Sequence, residues 1–314
     1  MAGPSPTRAQ QSYRHEAFLW HDADDFTRTM VPFLEEGLAA GEPTMVAVLP
    51  EHIGWLRDAL GTQAKQIDFV DMQELGRNPA RIIPAWQHFL DEKAGRRKPV
   101  RGIGEPIWPG RRPEELLECQ LHEALLNVAV DPELPFWLVC PYDAEQLGGA
   151  VVDEAYRSHP VIVEADAYQG SAAYAGRAHV DSLFSTELSD SDGRVQSVPF
   201  TRSDVRRLRH YLRLELHVAG LDAHAVEDLT DVVLRLVVSS LHRGSEDGTV
   251  KVWSSREAVV CEVADGAPTH DPLAGRRAPS EEDHDALWLA NQTCDLVQLR
   301  STPTGTAVRL HTWK

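Results

Sequence analysis

The sequence contains no run of 18 apolar residues, so no segment is expected to cross a bilayer as a helix. It is poor in lysine: Lys65, Lys93, Lys98, Lys251 and Lys314 are the only ones. Basic charge as a whole is scarce, with 31 Lys and Arg against 48 Asp and Glu and a formal net charge of −17. A surface of that sign repels phosphate backbones and anionic lipid, so neither nucleic acid nor a membrane is an expected partner. The four cysteines, Cys119, Cys140, Cys261 and Cys294, lie too far apart in sequence to form a zinc or redox pair. They are expected as reduced, mostly buried thiols of a cytoplasmic protein. Met1–Arg14 is polar and lacks the apolar core of a signal peptide. Catalytic signatures are missing as well: there is no Walker loop, no G-x-G-x-x-G after a strand and no G-x-S-x-G. His15-Glu16 and His122-Glu123 each begin like a zinc helix, but no second histidine follows at the required spacing. The 14 histidines are scattered along the chain, and no metal site is expected.

What is present is ordinary globular material. With 314 residues, 42% hydrophobic and 25% charged, the chain suits two domains of roughly 100–200 residues each. Residues 1–13 read as a loose tail. Between 14 and 165, short apolar runs (Thr44–Leu49, Ile67–Val70, Val100–Gly104, Phe136–Cys140) alternate with helical patterns (Phe26–Ala40, Glu51–Leu60, Pro79–Glu92, Pro113–Val130, Asp143–Ser158). That alternation predicts an α/β domain with a parallel sheet. Residues 166–197 are rich in Ala, Gly, Ser and Asp and read as a linker or seam. From 198 to 314 the pattern is two helices (Thr201–Ala219, Ala223–His242), a hairpin (Thr249–Ser254, Val259–Asp265), a short helix (Leu287–Thr293) and a last hairpin (Leu296–Ser301, Thr306–Thr312). This predicts an α+β domain on a mostly antiparallel sheet.

Two groups in the first domain are candidate site residues. Gly104-Glu105-Pro106-Ile107-Trp108 follows a strand, and ligands of open parallel sheets bind at the strands' carboxyl ends. Glu105 and Trp108 therefore read either as recognition groups for a polar ligand or as a Pro-Trp corner that closes the core. Glu118, His122 and Glu123 lie about one turn apart on the next helix. They either face the same strand ends or form a solvated polar face.

Several stretches of the first domain resemble the MEDS domain, a sensory module related to the RecA-like core but without its phosphate loop. They are HEAFLW (His15–Trp20), GLAAGEPTMVAV (Gly37–Val48), RGIGEPIWPGR (Arg101–Arg111), ECQLHEALLN (Glu118–Asn127), FWLVCPYD (Phe136–Asp143) and RSHP (Arg157–Pro160). The resemblance implies sensing of a signal that it does not identify; the residues read above, Glu105, Trp108, His122 and Glu123, are the candidates to meet an unknown small-molecule signal.

The second domain, 198–314, resembles the ATPase-like domain of anti-sigma factor serine kinases, a branch of the GHKL (gyrase, Hsp90, histidine kinase) superfamily with a two-layer sandwich fold. DPLAGRR (Asp271–Arg277), LWLANQTCDLVQLRS (Leu287–Ser301) and GTAVRLH (Gly305–His311) carry the likeness. Such kinases use ATP with Mg²⁺, a helical acid, an asparagine four residues later, an Asp in a D-x-G turn that reads adenine, and a glycine-rich lid. The resemblance puts Arg235 at the acid position and Ser239 at the asparagine position. Arginine stays protonated and is no general base. Asp265, Gly266, Gly305 and Thr306 match what remains of the nucleotide site, although Ala267 replaces the turn's usual glycine. The lid carries Glu281, Glu282, Asp283 and Asp285, which repel triphosphate. The expectation is a degenerate kinase-like regulator without catalytic residues or a required cofactor. It would bind a protein partner such as a sigma factor or an anti-anti-sigma antagonist, and homodimers are possible. Two alternatives stand. One is an active serine kinase using Asp228 or Asp231, against which an Asp231–Arg235 ion pair on one helix face weighs. The other is a small-molecule sensor whose second domain only dimerises.

Overall fold

The structure, a computed structural model, describes residues 12–94, 98–165, 167–189, 194–279 and 285–314. It divides into two compact units, one ending at Val180 and the other running from Asp181 to Lys314. The first unit holds strands β1 (Arg14–Trp20), β2 (Thr44–Val48), β3 (Asp68–Asp71), β4 (Val100–Gly104), β5 (Phe136–Asp143), β6 (Val161–Glu164) and β7 (Ala167–Gly170). Its helices are α1 (Ala23–Ala39), α2 (Pro50–Leu60), α3 (Met72–Leu75), α4 (Ile82–Phe89), α5 (Pro113–Ala129) and α6 (Gly149–Ser158), and α7 (Gly176–Ser185) carries the boundary between units.

The strands form one seven-stranded sheet in the order β3-β2-β4-β5-β1-β6-β7. All neighbours are parallel except the β6–β7 edge pair. The unit is therefore α/β with a mostly parallel, mixed sheet. β1 is the first strand in the chain but lies inside the sheet, between β5 and β6. Side chains alternate across it. Phe18 and Trp20 join the core with α1 residues Phe26, Met30 and Leu34. His15 and Ala17 align with Leu138 and Cys140 of β5 on the opposite face. Burying Phe18, Phe26 and Leu34 completely stabilises the fold by about 1.5–3 kcal/mol each.

Local signals explain most boundaries. The Asp22 side chain accepts from Asp25 N–H at the start of α1, where Asp24 and Asp25 favour the helix dipole. Pro32 lies inside this helix without ending it. Pro113 opens α5, and Glu115 accepts from the Arg112 N–H. Some expectations need correction. The 14–20 segment was expected only as the start of the ordered chain, yet it is a central strand; its polar His15 and Glu16 hide the usual apolar signature. Asp143 ends β5 rather than starting a helix, since α6 begins at Gly149. Within the supposed linker 166–197 lie β7, α7 and part of a further strand. The predicted helix Pro79–Glu92 is a 3₁₀ turn, α4 and a π turn in succession.

The second unit holds β8 (Gln196–Thr201), α8 (Val205–Val218), α9 (Ala223–His242), β9 (Asp247–Ser254), β10 (Ala258–Asp265), α10 (Ala286–Thr293), β11 (Leu296–Thr302) and β12 (Gly305–Trp313). Its antiparallel sheet has the order β11-β12-β10-β9-β8. Thr201 ends β8 instead of capping the helix, and its N–H and hydroxyl bond to Asp204. Leu208, Leu212 and Leu216 of α8 and Leu229, Val233 and Val237 of α9 form one core with Val252, Cys261, Val263, Leu299 and Val308. The alternate side chains of three adjacent strands form a charged row: Lys251 and Arg309 both bind Glu262. Among the described residues no helix is long and apolar enough to cross a membrane.

Gly102 in β4 is required by close packing: a Cβ there would meet the Phe136 and Trp86 rings at 2.9 Å. Gly102→Ala is therefore expected to destabilise the first unit by roughly 1–3 kcal/mol in chemical denaturation; a loss below about 0.5 kcal/mol would show that the rings yield freely.

Candidate functional site

Two buried polar groups stand out in the first unit. The first gathers under the sheet face that carries His15 and Cys140. Glu123 projects there from the middle of α5 and is 1% exposed. Its Oε2 lies 3.1 Å from His15 Nε2 and 3.2 Å from His159 Nε2, the latter off the angle of a hydrogen bond. Cys140 Sγ lies 3.4 Å from His15 Nε2. The two imidazole centroids are 4.2 Å apart, and Tyr13 and Tyr142 pack against His15 and His159 respectively. Asn127 Nδ2 donates to the carbonyls of Ser158, Glu123 and Ala124, which turns its oxygen toward His15 Nδ1 at 3.2 Å. The Nδ1 of His159 faces the carbonyl of Ala155 at 2.9 Å.

Electrostatics sharpen this picture. Burial raises the Glu123 carboxyl, but its contacts with His15 and His159 outweigh that and hold it well below the usual carboxylate range. Burial, helped by the neighbouring His159, lowers His15 in spite of Glu123. Burial also pushes the Cys140 thiol well up, with Glu123 adding to the effect.

The second group lies at the carboxyl ends of the strands. Glu105 follows β4, and its Oε2 accepts from Leu49 N–H at 3.1 Å and contacts His52 Nδ1 at 2.7 Å. His52 packs among Trp20, Phe26 and Trp55. Trp108, half-buried, lies 3.5 Å beneath the Arg111 guanidinium. Arg111 donates to the carbonyls of Pro106 and Gly76. The Gly-Glu-Pro-Ile-Trp segment thus carries the contacts of a closed corner.

Of the four residues expected to meet a ligand, Glu105 and Glu123 have separate partner sets, and Trp108 has a third. His122 is buried. The alternative of a solvated face on α5 is overturned, because Glu118, His122 and Glu123 are all at most 1% exposed. The histidines are not all scattered either. Folding joins His15, Glu123, Cys140 and His159, whose ligating atoms lie within 4.8 Å of one another. Sequence spacing offered no hint of this, since the four residues come from β1, α5, β5 and the turn before β6. The sole local signal was the His-Glu and Arg-Ser-His-Pro wording of the segments themselves. All four cysteines are buried, and no disulfide joins them.

In the second unit a cleft of about 620 Å³ is lined by Val205, Arg209, Asp231, Arg235, Ser239 and Arg243, among others. Arg235 is exposed in it, on the outer side of α9. The expected Asp231–Arg235 pair does not form: Asp231 accepts from Arg209 of α8 at 2.8 Å. Asp228 pairs with His224. Ser239 accepts from Arg243 Nη1 at 3.2 Å, and Arg243 Nη2 donates to Asp265 Oδ2 at 2.8 Å. The other oxygen of Asp265 accepts from Ala267 N–H. Gly266 is exposed. Gly305 sits at a φ of 153° against Asp265, where a Cβ would collide with the backbone carbonyl. Thr306 Oγ1 donates to Ala267 O and accepts from Thr269 N–H. Of the acidic lid, Glu281, Glu282 and Asp283 lie outside the described residues, while Asp285 caps α10.

Residues 14–160 match the family model described as MEDS, MEthanogen/methylotroph, DcmR Sensory domain. Among curated proteins none matches the chain.

A pH experiment tests the Glu105 corner. Burial raises the Glu105 carboxyl above its ordinary value, and His52 and Leu49 oppose this only in part. The folded chain then keeps that proton to higher pH than the unfolded chain. The resulting stability is present below the unfolded pKa and is lost as pH rises through the folded one. Glu105→Gln keeps an oxygen for Leu49 and His52 but cannot titrate. Relative to the natural chain, it should gain stability in denaturant melts as pH rises from about 4 to about 7; parallel pH profiles would contradict this.

Proposed function

We propose that the chain, whose residues 14–160 match the MEDS sensory-domain model and suggest a sensing or signalling role, is a signalling regulator of the anti-sigma factor type. In this reading the first unit takes up a small-molecule signal. The second, a degenerate kinase-like domain of GHKL type, engages a protein partner, a sigma factor or its antagonist, without phosphorylating it.

The observation that carries the reading is the state of the residues matched to the nucleotide site. Arg235 faces the cleft where the resemblance calls for an acid, and both oxygens of Asp265 are engaged, by Arg243 and Ala267. An adenine amine would have to compete with Arg243 and with the turn's own Ala267 N–H for an aspartate so held. Ser239 offers one hydroxyl, already accepting from Arg243, where Mg²⁺ would need a carboxamide. These residues do not fit ATP with Mg²⁺, and no phosphotransfer step is assigned to them. The active-kinase alternative has no better acid, since Asp231 is paired with Arg209 and Asp228 with His224. The arrangement instead supports an adaptor whose cleft presents Arg209, Arg235 and Arg243. Such guanidinium groups suit carboxylates on a protein partner.

Calorimetry with the full chain tests this. MgATP is expected to bind with a Kd weaker than about 1 mM, above about −4.1 kcal/mol. Arg235→Glu should leave that result unchanged while weakening capture of a purified sigma factor or antagonist at least about tenfold, or 1.4 kcal/mol. Sub-millimolar MgATP binding with transfer of phosphate to a partner serine would refute the proposal.

A further inference from the structure

The buried group around Glu123 has a proton inventory that does not close while both imidazoles are neutral. Asn127 is oriented by three backbone carbonyls, so its oxygen accepts from His15 Nδ1–H. Ala155 O likewise accepts from His159 Nδ1–H. Both rings, when neutral, therefore aim an Nε2 lone pair at the same carboxylate oxygen, 3.1 and 3.2 Å away. The Cys140 thiol has one hydrogen and can satisfy His15 Nε2 at 3.4 Å. His159 Nε2 and Glu123 Oε1 remain buried without a hydrogen-bond partner. Lone pairs and a carboxylate gathered away from water repel one another unless a cation sits between them. Without a metal, one ring must carry an extra proton toward Glu123, and protonating both would set two imidazolium centroids 4.2 Å apart.

We propose that His15, Glu123, Cys140 and His159 form a binding site for a single zinc-class divalent transition metal ion. A tetrahedral zinc site with bonds of about 2.0–2.3 Å separates neighbouring ligand atoms by roughly 3.3–3.7 Å. Three of the pairs here are 3.1, 3.2 and 3.4 Å apart, and all four atoms lie within 4.8 Å. Imidazole, thiolate and carboxylate together favour zinc or cobalt over magnesium or calcium. The surrounding bonds match those of metal-binding histidines: each Nδ1–H is tied to an oxygen, which fixes the tautomer and leaves Nε2 to ligate. On binding, the Cys140 S–H bond breaks, its proton leaves to solvent and a sulfur–metal bond forms. Two neutral imidazoles, one carboxylate and one thiolate then balance the 2+ charge, leaving no net charge in the core. Four protein ligands, each at most 1% exposed, make a closed site rather than one with an open position for catalysis. Metal occupancy would tie β1 to α5, β5 and the turn before β6. The assignment is independent of what the second unit binds.

The test is a Co²⁺ titration of the tag-free, metal-stripped full chain, followed by absorption. One equivalent should produce a thiolate-to-cobalt charge-transfer band and visible bands of tetrahedral intensity, and one equivalent of Zn²⁺ should erase them. Cys140→Ser should abolish the charge-transfer band, whereas Cys119→Ser, at a buried thiol bonded to Pro106 O, should keep it. His159→Gln should weaken Co²⁺ binding at least about tenfold. Absence of saturable Co²⁺ binding by the natural chain, or a charge-transfer band that survives Cys140→Ser, would overturn the assignment. X-ray absorption of the zinc-loaded natural chain decides the matter even where a variant fails to fold. It should show one sulfur at about 2.3 Å beside lighter ligands at about 2.0–2.2 Å, and a sulfur-free shell would overturn the proposal.

Discussion

A carboxylate with almost no access to water, Glu123, sets the terms on which the first unit is built. Removing such a group from solvent costs several kcal/mol unless partners replace the water it loses. Those partners come from widely separated parts of the chain. His15 is supplied by β1, Cys140 by β5 and His159 by the residue that closes α6, while Asn127 lies one turn further along α5. The strand order that sets β1 between β5 and β6 is what brings them to one place. Packing and polar satisfaction thus point to the same topology: Phe18 and Trp20 fill the core on one face of β1, and His15 meets Glu123 on the other.

The second unit distributes its charges differently. Its polar contacts lie mostly along surfaces, as with Arg209–Asp231 and Arg213–Glu227 between α8 and α9, and exposed pairs of this kind contribute about 0–1 kcal/mol each. The more enclosed pair, Arg243–Asp265, does more than stabilise, because it engages the carboxylate that the resemblance would give to adenine. In a chain with a net charge of −17, the cleft gathers Arg235 with Arg209 and Arg243, the last two held by Asp231 and Asp265.

The helices and most strand cores were legible because apolar spacing reports burial directly. α9 is read from its leucines and valines with the bounds it has in the fold, and Val100–Gly104 is a strand for the reason expected. β1 was not legible, because His15 and Glu16 in a strand look like surface residues until their partners are known. The same failure concealed the buried cluster. Residues 15, 123, 140 and 159 obey no spacing rule, and only the parallel register Ala17 to Cys140 and Glu16 to Val161 explains their meeting. Glu105 and Trp108 were singled out from the sequence, as recognition groups for a ligand or as a corner that closes the core. Their partners, His52, Leu49 and Arg111, were not foreseeable from local sequence. In the second unit the same limit applied to Asp231, whose partner sits on the neighbouring helix rather than one turn away.

The interior position of β1 also bears on how the polypeptide comes off the ribosome. Its two neighbours in the sheet, β5 and β6, are made last among the parallel strands, and His15 and Cys140 are 125 positions apart. Contacts of such long sequence separation form slowly because the intervening loop must close first. Until Phe136–Asp143 has emerged, the segment Arg14–Trp20 has neither of its partner strands, and until Val161–Glu164 follows it has only one. Before β5 emerges the growing chain carries Phe18 and Trp20 on an unpaired strand, a state in which chaperone contact protects against aggregation.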